Sequence, residues 1–76
     1  GPGRRVITQF GEVAYAMMEH GVFAERAVDS VNRARFARGE AAKREHLLHA
    51  RSSAKLARQW LAQALAGASQ NKGGVL

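Results

Sequence analysis

The sequence predicts an all-α protein: an antiparallel two-helix hairpin that turns near Gly39 and dimerises into a four-helix bundle. Three observations predict it. Between Arg4 and Ala68 there is no proline, and Ala, Arg, Glu, Leu and Gln dominate, the composition of long helices. Apolar residues recur at alternating spacings of three and four on both sides of Gly39. Finally, 76 residues without a cysteine offer one small core and no disulfide against a folding entropy of about 1.5 kcal/mol per ordered residue. A second copy is the staple that remains.

Gly1-Pro2-Gly3 has the form of a protease-cleavage and cloning remnant and is expected to lie outside the fold. The hairpin domain is expected over residues 4–68. In its first helix, Phe10, Val13, Met17, Gly21, Ala24, Val28 and Val31 mark one face. Gly39 supplies the left-handed residue that stops this helix, and Glu40 opens the next at its positive end. In the second helix Leu47, Ala50, Ala54, Ala57, Leu61, Leu65 and Ala68 form a matching seam. Folded about Gly39, Val31 meets Leu47, Val28 meets Ala50, Ala24 meets Ala54, Gly21 meets Ala57, Met17 meets Leu61, Val13 meets Leu65 and Phe10 meets Ala68. Two helices of about 30 residues at about 1.5 Å per residue predict a rod of roughly 40 to 45 Å. The competing reading breaks the first helix at Glu19-His20-Gly21 and gives three helices. Residues 69–76, polar and Gly-rich without periodicity, are expected to be a disordered tail.

Rotation from the seam sorts the remaining residues onto two flanks. One carries Ala16, His20, Phe23, Ala27 and Ala34 with His46, Ser53, Trp60 and Ala64, small, apolar and aromatic. Such a patch is expected to bury against a second copy, with Phe23, Ala27, Trp60 and Ala64 as dimer contacts. The opposite flank carries Arg44, Arg51, Lys55 and Arg58, a stripe of roughly 21 Å with no acidic residue interrupting it. Arg33, Arg35, Arg38 and Lys43 surround the turn. A solvated helix face ordinarily mixes charge signs at i,i+4, whereas this stripe is single-signed.

Twelve Lys and Arg against six Asp and Glu give a net charge of +6, which favours anionic partners. The stripe predicts nucleic-acid binding through Arg44, Arg51, Lys55 and Arg58, and a dimer doubles it to eight cations. Base-edge reading lacks a helix-turn-helix or zinc-ligand set, and single-strand stacking lacks an aromatic sheet. Shape reading of A-form duplex RNA remains, with Ser52 and Gln59 beside the cations, and DNA stays open. Whether the two stripes of a dimer join on one side or point apart is also open.

Catalytic and metal chemistry are not expected. His46-x-x-His49 places two imidazoles on neighbouring helix positions without further ligands, and Asp29, on the other flank, is not expected to reach them. Ser30, Ser52 and Ser53 lack a His and carboxylate arrangement, and there is no Gly-rich phosphate loop. The reading is a non-enzyme without cofactor. No apolar run approaches 18 residues and the apolar faces are rich in Ala, so no membrane partner is expected.

Leu48-His49-Ala50, followed by Ala54-Lys55-Leu56 and Arg58, resembles the second helix of nodavirus suppressors of RNA silencing over about ten residues with a one-residue gap. Those are small dimeric helical hairpins that bind double-stranded RNA without sequence preference. The resemblance implies phosphate-contact roles for Arg51 and Arg58 and a homodimer. With neither a long apolar run nor a signal-peptide segment, a cytoplasmic protein is expected, in a host cell if it is viral. The alternative function is a protein-interaction module, such as a small viral or plasmid-encoded inhibitor, acting through an apolar helical face.

Overall fold

In the computed structural model two helices, α1 (Pro2–Phe36) and α2 (Glu40–Val75), pack side by side. The structure describes the backbone of residues 2–75 and the side chains of residues 11–69. The expected meeting of Phe10 with Ala68 therefore lies outside the described residues. α1 runs without a break through Gly21, giving two helices rather than three. A lone Gly costs a helix only about 1 kcal/mol relative to Ala, too little to end one that is packed along its length.

The turn is where the sequence places it. Gly39 has φ of 91°, a backbone conformation that an L side chain disfavours, and the Lys43 N–H donates to its carbonyl oxygen at 3.2 Å to open α2. Glu40 lies in the first turn of α2 and Arg33 and Arg35 in the last turn of α1, each matching the partial charge of its helix end.

The rod measures 57 Å along its long axis, more than the helices of about 30 residues predict. Helical backbone begins at Pro2, inside the expected remnant, and α2 continues past Ala68 to Val75, through most of the segment expected to be a disordered tail. Once a helix is nucleated each further residue adds a hydrogen bond, so Ser69, Gln70 and Asn71 extend it without apolar periodicity.

The contact stripe is rotated from the predicted one by somewhat under one residue step of about 100°. The buried residues among those described are Ala16, Ala34, Ala50, Ala57 and Ala64. Half-buried Val13, His20, Phe23, Ala27, Ser30 and Ala37 continue the stripe on α1, and His46, Ser53, Trp60 and Gly67 on α2. The register about Gly39 holds to within one or two residues: the predicted pairing sets Gly21 against Ala57, whereas the His20 ring meets the Ala57 carbonyl oxygen at 2.8 Å. Small side chains win the seam because a pair of helices with nothing else to pack on gains most contact by close approach of the backbones. Met17, Val28, Val31, Leu47 and Leu65, given to that seam by their bulk, are exposed.

Two glycines test this packing with opposite signs. A Cβ built at Gly11 meets nothing, so Gly11→Ala is expected to stabilise by about 1 kcal/mol through helix propensity, raising the melting temperature by roughly 4–8 °C. At Gly67 the same Cβ falls 2.8 Å from Cγ2 of Val13, a stiff β-branched side chain across the seam. Gly67→Ala is therefore expected to lower the melting temperature. An increase equal to that of Gly11→Ala would show that the two helices do not approach there.

Candidate nucleic-acid interface

The stripe sits where α2 faces solvent. Arg51 and Arg58 each follow a buried seam alanine, Ala50 and Ala57, by one residue, which turns them about 100° out of the contact. Lys55 points further out still, and Arg44 repeats the position of Arg51 one heptad earlier. All four are exposed. Among the described residues the salt bridge is elsewhere: Arg33 Nε to Asp29 Oδ2 at 3.0 Å, an exposed i,i+4 pair on α1. Among the described residues the four α2 cations thus have no carboxylate within bonding distance and present their charge to solvent over roughly 21 Å. Such an array can hold a row of phosphates.

The structure adds Arg35 to this array. A shallow hollow between the helices is floored by Val28, Val31, Ala50 and Ala54, with Arg51 on its α2 side and Arg35 and Asn32 on its α1 side. Sequence reasoning groups Arg35 with the turn because its approach to Arg51 depends on the pairing of two helices and the rotation of α1. Its distance from Gly39, matched by residues near 43 in α2, hides how far along the rod it reaches toward Arg51.

Phe23, Ala27, Trp60 and Ala64, expected to contact a second copy, lie in the seam within the chain. Ala64 is 2% exposed against α1, and Ala27 lines the inter-helix hollow. Trp60 packs edge-on against Tyr15 at 5.6 Å between ring centroids, and Phe23 carries the Arg26 guanidinium 5.1 Å above its ring. This placement follows from the rotation of the seam, because the small, aromatic flank is what the two helices turn toward one another.

His46 and His49 gain no further ligand; among the described residues no group of three or more His, Cys, Asp or Glu side chains lies together. Asp29 is engaged by Arg33. Among the described residues no helix is long and apolar enough to cross a membrane. Compared with known proteins, the chain matches no family model, no curated protein and no solved structure.

Proposed function

We propose that this chain binds double-stranded RNA as a homodimer, without reading its sequence, through the outer face of α2, and that Arg51, Lys55 and Arg58 contact phosphates with Arg44 in support. The observation that carries the reading is the exposed, single-signed stripe on a rigid rod, free of carboxylate partners among the described residues. A straight helical edge fits the paired phosphate rims and shallow minor groove of an A-form duplex, where recognition is by shape and backbone. The resemblance of residues 48–58 to nodavirus suppressors favours RNA over DNA, and sequestering duplex RNA in a host cell is the activity that this implies.

A gel-shift titration tests it, with a 20-base-pair duplex RNA, the same sequence as DNA and the single strand, each at about 50 and 200 mM salt. Duplex RNA is expected to bind tightest and to survive competition by the other two. For eight phosphate contacts in a dimer the affinity is expected to fall by about four orders of magnitude across that salt range. Equally weak, salt-erased binding to all three would reduce the stripe to a charged surface. A second reading, a protein-interaction module, is favoured by one observation, the exposed apolar residues Met17, Val28, Val31, Leu47 and Leu65.

A further inference from the structure

The hollow between the helices joins two unlike features: an apolar floor that includes Val28, Val31 and Ala54, and a cation on each side of it, Arg35 from α1 and Arg51 from α2. The contact of the His20 ring with the Ala57 carbonyl oxygen sets Arg35 level with residues close to Ala42, about 13 Å along the rod from Arg51 at about 1.5 Å per residue. The side chains shorten that span. Every Cα–Cβ bond of a helix tilts toward its N-terminus, and the two helices run in opposite directions. Arg35 is therefore directed away from the turn, over Val31 and Val28, and Arg51 toward it, so the two guanidinium groups converge over one floor. No acidic side chain lines the hollow, and among the described residues neither arginine has a carboxylate partner.

We infer that Arg35 and Arg51 hold one phosphate between them, from opposite helices, so that α1 shares in the interface with duplex RNA. The inference rests on the duplex-RNA reading and adds to it a contact residue outside α2 and a phosphate that two cations share. The chemistry fits that group. Two guanidinium groups brought together without a counter-charge repel, and a phosphate between them replaces the repulsion with two sets of charge-assisted hydrogen bonds. Each guanidinium presents a planar fork of N–H donors that meets phosphate oxygens in pairs, which a lysine cannot do. The apolar floor keeps water from one side of the site, which strengthens both contacts, and gives the carbon-bound hydrogens of the adjoining ribose a surface to rest on. The row of phosphates along Arg44, Arg51, Lys55 and Arg58 keeps its count, because Arg35 braces the phosphate of Arg51 and adds none. Since the clamp spans both helices, binding also holds the hairpin closed.

A double-mutant cycle in the duplex-RNA gel shift tests this, with Arg35→Ala, Arg51→Ala and the two combined. Both side chains are exposed and make no salt bridge among the described residues, and alanine is the best helix former, so the helical signal is expected to be kept. Each single replacement is expected to weaken binding about 10-fold at about 100 mM salt and the double less than about 30-fold, where contacts to separate phosphates would give about 100-fold. The log-log salt slope separates the two cases again. In either single variant the remaining guanidinium still neutralises the phosphate and the slope is kept, whereas the double lowers it by about one per chain. Arg33→Ala, whose guanidinium Asp29 already engages at 3.0 Å, is expected to bind like the wild type. Losses that multiply, a slope that falls in each single variant, or a loss from Arg35→Ala no greater than that from Arg33→Ala overturns the inference and leaves the RNA reading standing. A wild type that shifts no duplex removes that reading, and inorganic phosphate then decides the clamp alone. In nitrogen-15 spectra the Nε–H signals of Arg35 and Arg51 are expected to move with one midpoint, and replacing either arginine is expected to suppress the movement of the other. Independent movement, or none, removes the clamp as well.

Discussion

Arg51→Glu combined with Arg58→Glu is expected to abolish duplex-RNA binding while leaving the helical signal and the oligomeric state unchanged. Both side chains are exposed on the outer face of α2 and make no salt bridge among the described residues, so their reversal breaks no intramolecular ion pair. Glu matches Arg closely in helix propensity, so α2 itself is not weakened. Each reversal removes a cation from the phosphate rim and puts a like charge in its place. In a dimer that removes four cations of eight and leaves four carboxylates facing the same rims. The expected drop in affinity is at least ~100-fold at about 100 mM salt, with the log-log salt slope falling by about one for each phosphate no longer neutralised. Both the affinity and the slope must change. Weaker binding with the slope intact would mean that the variant acts through folding, and retained binding would move the interface away from these arginines.

The stripe is legible in the sequence because it survives an error in the rotation of the helix. Ala50 and Ala57 belong to both the predicted and the observed seam, and Arg51 and Arg58 follow them directly, so either rotation leaves the arginines in solvent. The turn is legible for a different reason: Gly39 is the interruption between two periodic segments, and its φ of 91° is what a glycine there serves. The register follows from that single position. The rotation is not legible, because α1 carries two apolar sets at helical spacing, one through Met17, Ala24 and Val31 and one through Ala16, Phe23 and Ala34. Choosing by bulk selects the first. The physics of an isolated helix pair selects the second, and the signal that would have found it is the strict heptad of small residues Ala50, Ala57 and Ala64. His20 also argues against that face on polarity, yet the Ala57 carbonyl oxygen gives its ring a partner.

Ala64 and Leu65 are adjacent, and replacing each in turn reads the rotation of α2 directly. Ala64 is 2% exposed and sits between the helices, whereas Leu65 is 62% exposed to solvent. Ala64→Leu adds three carbons where there is no room, and the helices must separate or tilt to accept them. Overpacking of this kind costs about 1–3 kcal/mol, and in a chain of this size each kcal/mol lowers the melting temperature by roughly 4–8 °C. The penalty falls on a seam whose buried side chains are alanines, so little other packing can compensate for separation. A drop of about 10–20 °C is therefore expected, accompanied by a weaker helical signal at physiological temperature. Leu65→Ala should behave differently. It trims a side chain already 62% exposed and leaves the packing on α1 in place, so its melting temperature is expected to stay within a few degrees of the wild type. Were Leu65 the seam residue and Ala64 the flank residue, as bulk alone predicts, Leu65→Ala would be the costly change, at about 2–5 kcal/mol, and Ala64→Leu the mild one. Thermal melts of the two variants thus read which of the adjacent residues lies between the helices.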